Sequence, residues 1–164
     1  MNAEAEQLIA HHHLEALPEE GGFFRRTWTS PATVPGSAGR SAGTAILYLM
    51  TTDSFSALHR LDADEIWRYQ SGDPVQHVRI DPVSGVVQNT ILGPNAGAGQ
   101  ETQLVVPNGV WQGARPVVGG SKGWSLVVAA TTPGWDPAGF VLGDPVSLRA
   151  RFPGAASWIR ALSR

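Results

Sequence analysis

Residues 54–72 contain one histidine and one glutamate whose spacing could support proton transfer. Alternate residues of a strand share a face, so His59 and Leu61 point the same way, and Glu65, Trp67 and Tyr69 form a second row beyond a short turn. A carboxylate beside an imidazole in a water-poor interior increases its basicity, which suits general acid–base catalysis. We therefore predict this chemistry at His59, Glu65 and Tyr69. The alternative is that His59 and Glu65 only form hydrogen bonds with each other and with the backbone and take no part in catalysis.

The composition limits the number of domains, the partners and the location that we expect for this protein. The chain has 164 residues, 42% of them hydrophobic, which predicts one domain over 1–164. A net charge of −2 without a run of basic residues argues against a nucleic-acid partner. The absence of cysteine excludes disulfides and thiolate chemistry. No leader and no apolar run of membrane-spanning length are visible, so we expect no membrane contact and a cytoplasmic location.

The pattern along the chain predicts an all-β domain with short terminal helices. Residues 2–15 have the pattern of an amphipathic helix within a lead-in over 1–20, and the three adjacent histidines at its end point in different directions, as at a solvated helix end. A β-barrel is predicted over 21–142, and a tail with one or two helical turns over 143–164. The predicted strands, separated by glycine, proline, asparagine and aspartate, are 23–29, 44–50, 54–61, 65–71, 75–81, 85–92, 103–107, 111–115, 124–132 and 139–142.

Several short motifs resemble those of the cupin superfamily, and more narrowly the cupin-5 family of RmlC-like jelly-roll proteins. They are Gly-Asp-Pro at 72–74, Val-Val-Pro-Asn-Gly-Val-Trp-Gln-Gly-Ala at 105–114, Thr-Pro-Gly-Trp-Asp-Pro-Ala-Gly-Phe at 132–140, Glu-Gly-Gly-Phe-Phe-Arg at 20–25, Ser-Ala-Leu-His-Arg-Leu at 56–61 and Asp-Glu-Ile-Trp at 64–67. The resemblance covers about residues 14–152. It implies a double-stranded β-helix, and a homodimer in which segment 23–29 adds to the partner's sheet.

The resemblance also indicates which metal ligands the chain has kept. Metal-binding cupins carry two histidines two residues apart, a glutamate four residues later, and a third histidine after a Pro-x-Gly turn. Here those positions hold His59, Leu61, Glu65 and Gln112, so two of the three imidazoles are missing. We expect no tightly bound metal cofactor. The alternative is a divalent transition metal held loosely by His59, Glu65 and Gln112, as in a metal-dependent oxygenase.

Similarity to the cupin-related sugar-nucleotide epimerases implies a reaction without a metal. Those enzymes use a barrel histidine as base and a tyrosine as acid. Carried over to this chain, His59 is the base, Tyr69 or Tyr48 is the acid, Glu65 orients the imidazole, and Gln112 donates to a developing enolate oxygen. The resulting prediction is an isomerase, epimerase or cyclase acting on a small polar metabolite. The alternative is a small-molecule-binding cupin without turnover.

Four further residues are predicted to bind the ligand. Trp67 and Trp111 are expected to line the pocket, since large flat side chains often do so. Arg40, in the loop before strand 44–50, is expected to bind an anionic group at the barrel mouth. Ser56 matches a residue frequently present in the family, and no Gly-x-Ser-x-Gly elbow surrounds it, which argues against a hydrolase.

Overall fold

The computed structural model describes residues 2–164, and within them the strands form two antiparallel sheets. The first sheet has the order β1 (Glu15–Ala16), β2 (Phe23–Thr29), β3 (Thr44–Thr51), β10 (Trp124–Thr132), β5 (Asp64–Gly72) and β8 (Gln103–Val106). The second has the order β11 (Val141–Leu142), β4 (Ser56–Arg60), β9 (Trp111–Pro116), β6 (Val75–Ile80) and β7 (Val87–Leu92). The predicted all-β class is confirmed.

Helices lie at both ends of the described chain. Helix α1 (Ala3–His12) is capped by Asn2, whose side chain accepts a hydrogen bond from the Ala5 amide. It is shorter than the predicted 2–15 because His13 takes the left-handed conformation that ends the helix. The tail holds α2 (Pro145–Arg151) and α3 (Ala156–Ala161). No helix in residues 2–164 is long and apolar enough to cross a bilayer.

Strand β5 shows why this sequence forms a sheet with one buried face. Its residues alternate between exposed and buried from Asp64 to Arg68, so that Glu65 and Trp67 face inward while Ile66 faces outward. Such alternation at period two is what the pleat of a strand imposes. The sequence pattern therefore places Glu65 in the interior, as predicted.

Apolar side chains pack in three places within the described residues. One cluster fills the space between the sheets and includes Tyr48 and Trp67. A second lies on the outer face of the second sheet, where α2 and α3 cover Leu58 and Trp111. The third lies under α1 on the first sheet. The space between the sheets is where the predicted site falls, because the inward-facing residues of β4 and β5 meet there.

Strand β2 lies near one edge of the first sheet of its own chain. It pairs along its length with β3, while β1 covers only Phe23 and Phe24 on its other side. The rest of that edge has no strand beside it in residues 2–164, and unpaired edges invite a further strand. Addition of this segment to a partner's sheet in a homodimer stays a prediction.

Substitution of Gly72 tests the turn between β5 and β6. Its φ is 92°, and an added Cβ would collide with the backbone oxygen and ring of Trp124. We expect Gly72→Val to lower the free energy of unfolding by more than about 3 kcal/mol, because the left-handed strain of about 1–2 kcal/mol and the collision add. Denaturant unfolding measures the loss.

Gly119→Val is the matched control, since Gly119 has a φ of 81° but nothing within 4 Å of an added Cβ. It should cost only the backbone strain. Equal losses for the two variants would show that the contact with Trp124 does not constrain this turn.

Candidate functional site

A cavity of ≈ 220 Å³ opens between the two sheets. Liquid water takes about 30 Å³ per molecule, so the space equals that of about seven waters. Most of the wall is apolar, and the polar side chains are concentrated on a few strands and one turn. The lining residues are Leu17, Glu20, Phe24, Arg26, Ile46, Tyr48, His59, Leu61, Glu65, Trp67, Ala129 and Trp135. A cavity of this size and polarity suits a small ligand with an apolar body.

Strand β4 brings His59 to the cavity wall, and one ring nitrogen is fixed by the backbone. Nδ1 lies 2.8 Å from the carbonyl oxygen of Ala57. A carbonyl only accepts hydrogen bonds, so Nδ1 carries a hydrogen. Phe140 stacks against the ring with centroids 5.4 Å apart. The described residues give Nε2 no hydrogen-bond partner, and this atom is therefore left for a ligand in the cavity.

Glu20 forms a polar cluster beside His59 that the sequence reasoning did not predict. Its Oε1 accepts a hydrogen bond from the hydroxyl of Ser56 at 2.6 Å and lies 3.2 Å from the hydroxyl oxygen of Tyr48. The same oxygen lies 3.8 Å from Nδ1 of His59. The available signal was the Glu-Gly-Gly motif at 20–22, whose glycines take positive φ and so allow the turn that carries Glu20 inward. Ser56 thus contacts Glu20, which lines the cavity, and is not itself part of the cavity wall.

Strand β5 places the carboxyl group of Glu65 in the barrel interior. One oxygen, Oε2, accepts from the indole Nε1–H of Trp67 at 2.9 Å and from the amide Nε2–H of Gln112 at 2.6 Å. Burial raises the pKa of Glu65, and the nearby charge of Glu20 adds to the rise, while His59 and the two donors act in the opposite direction. Within residues 2–164 no hydrogen bond reaches Oε1. The rise in pKa extends the pH range over which Glu65 keeps its proton, and Oε1, which has no hydrogen-bond partner among the described residues, can carry it.

A second buried histidine, which the sequence reasoning also missed, supports Gln112. The Nε2 atom of His77 lies 3.2 Å from Oε1 of Gln112. Because the Gln112 amide nitrogen donates to Glu65, its oxygen accepts from His77. His77 lies two residues after Val75 and shares the inner face of β6 with it, so strand parity was the signal that could have found it. A hydrogen-bonded chain thus runs from His77 through Gln112 to Glu65.

The donor set does not fit a transition metal. Leu61 supplies no ligand where metal cupins have their second histidine, and both ends of the Gln112 amide are engaged by protein groups. His59 and Glu65 then offer one free atom each, whereas zinc and non-haem iron sites use at least three protein ligands. Residues 2–164 contain no group of three or more His, Asp or Glu side chains placed to hold a metal ion.

The structure brings some of the predicted binding residues to the cavity. Trp67 lines it and donates to Glu65. Tyr48 also lines it, but its hydroxyl donates to the carbonyl of Gly21 at 2.7 Å. Burial raises the pKa of Tyr48 well above its ordinary value, and the charge of Glu20 reinforces this. The Tyr48 proton is therefore held in place rather than available to a ligand.

Three predicted residues lie elsewhere. Trp111 packs with α2 and α3 on the outer face of the second sheet. Tyr69 donates its hydroxyl to the Gly72 carbonyl at 2.7 Å and is not part of the cavity wall. Arg40 donates to both carboxylate oxygens of Asp62 and to the carbonyl of Gly134. The expected roles of these residues in the pocket are not supported by their positions, because each is bound to a different part of the fold.

The effect of acidification on stability tests whether burial lowers the pKa of His77 in the folded protein. Burial, with a contribution from Arg79, lowers the pKa of His77 from 6.5 to about 3. The unfolded chain therefore binds a proton at this residue below pH 6.5, while the folded chain does not until the pH nears 3. The stability that neutral His77 contributes is complete above pH 6.5 and is lost as the pH falls from 6.5 toward 3, at about 1.4 kcal/mol per pH unit.

We expect the unfolding free energy of the wild type to fall more steeply on acidification than that of His77→Gln, which has no imidazole. Urea titrations at several pH values between about 4 and 6.5 measure the two slopes. The comparison removes the contribution of Glu65, whose raised pKa acts in the opposite direction, because both proteins contain it. Parallel slopes would mean that His77 titrates normally in the folded protein.

Comparison with known proteins bears on the fold and the family. The sequence profile of the family described as Cupin superfamily (DUF985), Cupin_5, matches residues 6–143. No curated protein matches the chain. A hypothetical protein from Leishmania major is 31% identical, with a TM-score of 0.88 and coverage of 97% of this chain and 98% of that one.

Two bacterial structures extend the comparison. Protein SO0799 from Shewanella oneidensis is 30% identical, with a TM-score of 0.89 and coverage of 100% of this chain and 98% of that one. A conserved protein with a double-stranded beta-helix domain from Klebsiella pneumoniae is 14% identical, with a TM-score of 0.52 and coverage of 82% and 93%, and shows the fold alone. The fold, the motifs and the family match agree that the chain belongs to the Cupin_5 family of the cupin superfamily.

Proposed function

We propose that this cupin is an acid–base isomerase of small carbonyl compounds, with His59 as the base and Glu65 as the acid. The proposal rests on the hydrogen bonding of the two nitrogens of the His59 imidazole. His59 lines the cavity with Nδ1 held by the Ala57 carbonyl, and among the described residues Nε2 has no partner. A fixed ring with one unengaged nitrogen has the geometry that a general base requires.

Glu65 replaces tyrosine as the proposed acid. Burial raises its pKa, which extends the pH range over which the carboxyl keeps a proton, and its two hydrogen bonds converge on Oε2, which leaves Oε1 to donate. Tyr48 and Tyr69 already donate to backbone carbonyls. A carboxyl group that can donate a proton and an imidazole nitrogen that can accept one, both lining one small cavity, are the pair that enolisation needs.

The proposed step is redox-neutral. Nε2 of His59 takes a proton from the carbon beside the substrate carbonyl, and the C–H electron pair forms the carbon–carbon double bond. The carbonyl π pair moves to oxygen, which takes the proton from Oε1 of Glu65. For a hydroxycarbonyl substrate, the Glu65 carboxylate then removes the other hydroxyl proton. The imidazolium returns its proton to the neighbouring carbon, which completes the isomerisation.

Exchange of substrate protons into D2O tests the base. We expect the wild type to catalyse exchange at the carbon beside the carbonyl of a small ketone such as hydroxyacetone or levulinate, followed by proton NMR. His59→Gln should slow exchange by at least about 100-fold, because a general base contributes about 10²–10⁴. His11→Gln, at an exposed histidine of α1, is the matched control and should exchange at the wild-type rate.

The His59 variant must keep its thermal stability for the comparison to count. Ligand binding without faster exchange in the wild type than in His59→Gln would contradict the isomerase and support the alternative of a binding cupin without turnover.

The pH profile tests the acid. Since Glu65 must be protonated to donate, the exchange rate should fall as the pH rises through the raised pKa of Glu65. Glu65→Gln keeps the size of the side chain and removes the titrating proton, so it should slow the reaction and abolish this fall. If the exchange rates of the wild type and of Glu65→Gln fell in the same way at high pH, another group would be the acid.

A further inference from the structure

A positively charged side chain, Arg26 of strand β2, lies at the open end of the cavity. Arg26 is paired with Ile46 of β3, which is paired with Ala129 of β10, which in turn is paired with Trp67 of β5. Paired residues of neighbouring strands share a face, and all four line the cavity. Arg26 is exposed, whereas Trp67 is buried. The row therefore runs from the solvent-exposed mouth to the interior.

No residue that the structure describes neutralises the charge of Arg26. Among residues 2–164, no carboxylate forms an ion pair with it and no hydrogen bond engages its guanidinium. Its Cζ lies 5.9 Å from the ring centroid of Trp135, which also lines the cavity. The contrast is Arg40, whose guanidinium is occupied by Asp62. Arg26 is the only arginine or lysine among the described lining residues.

Two buried carboxyl groups also line the cavity. They belong to Glu20 and Glu65, and Glu20 accepts the hydroxyl proton of Ser56. The exposed Arg26 guanidinium attracts an anionic group at the mouth, whereas the buried carboxyl groups offer it no positive charge. The rest of the wall is mostly apolar, and low-dielectric walls strengthen the attraction to Arg26. The position of Arg26 thus favours a ligand whose anionic end stays at the mouth.

We infer that Arg26 selects small carbonyl compounds that carry a carboxylate, with the carboxylate at the mouth and the carbonyl toward His59. The planar guanidinium matches a carboxylate with two parallel hydrogen bonds. The ≈ 220 Å³ cavity limits the ligand to a short chain between these groups. The orientation of the carbonyl rests on the proposed isomerase, whereas recognition of the anion by Arg26 does not.

Matched probes test the recognition. Levulinate and its neutral amide, 4-oxopentanamide, have nearly the same shape, and isothermal titration calorimetry measures the affinity of each. We expect levulinate to bind at least about tenfold more tightly, because a charge-assisted hydrogen bond contributes that much or more. Arg26→Gln should remove the preference by weakening levulinate and leaving the amide unchanged. Added salt should weaken levulinate alone.

Arg25→Gln is the matched control. Arg25 is the preceding residue of β2, is also exposed, and lies on the other face of the sheet. It should keep the preference of the wild type. Equal affinities for levulinate and the amide, failure of levulinate to bind, or the same loss in Arg25→Gln and Arg26→Gln would each overturn the inference.

Two further measurements separate the alternatives. Acetonyl phosphate and neutral hydroxyacetone form a second pair, and an Arg26-dependent preference for the phosphate over levulinate would overturn the assignment of a carboxylate.

His59→Gln should keep the preference for levulinate over its amide, even though it loses proton exchange. Loss of exchange with the preference retained supports both roles. A preference for levulinate in a wild type that catalyses no exchange supports Arg26 and contradicts only the isomerase.

Discussion

The hydrogen bonds to the Glu65 carboxyl are the constraint on which the site depends. This group lies inside the barrel, where an unpaired polar group is costly, and it is held by Trp67 of its own strand and by Gln112 of the opposite sheet. His77 in turn fixes the orientation of the Gln112 amide. Both donors use the same oxygen, so the other remains for a ligand. The interaction that joins the two sheets therefore also sets the position of the proposed acid.

The cavity combines two buried carboxyl groups with one exposed guanidinium in a mostly apolar wall. Glu20 and Glu65 are buried, whereas Arg26 is exposed at the mouth. In such an environment fixed charges act strongly, because little water is present to screen them. The polarity offers a physical means of orienting a small anion so that its reacting carbon lies beside His59. Orientation of this kind is a large part of what a binding site contributes to catalysis.

Much of this arrangement could be predicted from strand parity. The alternation that placed Glu65 and Trp67 inside β5 is local, and the structure has both residues there. The same rule could have corrected the prediction for Trp111, since its neighbour Gln112 faces inward and adjacent residues of a strand face opposite ways. Strand parity alone would wrongly assign Tyr69 to the cavity, because Tyr69 follows the same alternation. It lies beyond the cavity, at the turn where its hydroxyl donates to the Gly72 carbonyl.

By itself, the sequence determined the all-β class, the family resemblance and the positions of most strands, because turn residues and period-two alternation act over a few neighbouring positions. Only the tertiary structure decided which polar groups satisfy one another. Glu20 reaches Ser56 and Tyr48 across more than 25 residues of chain, and Arg40 finds Asp62 instead of a ligand. Hydrogen-bond partners are chosen by proximity in the folded chain, where several groups compete for each donor, and a linear pattern does not contain that competition.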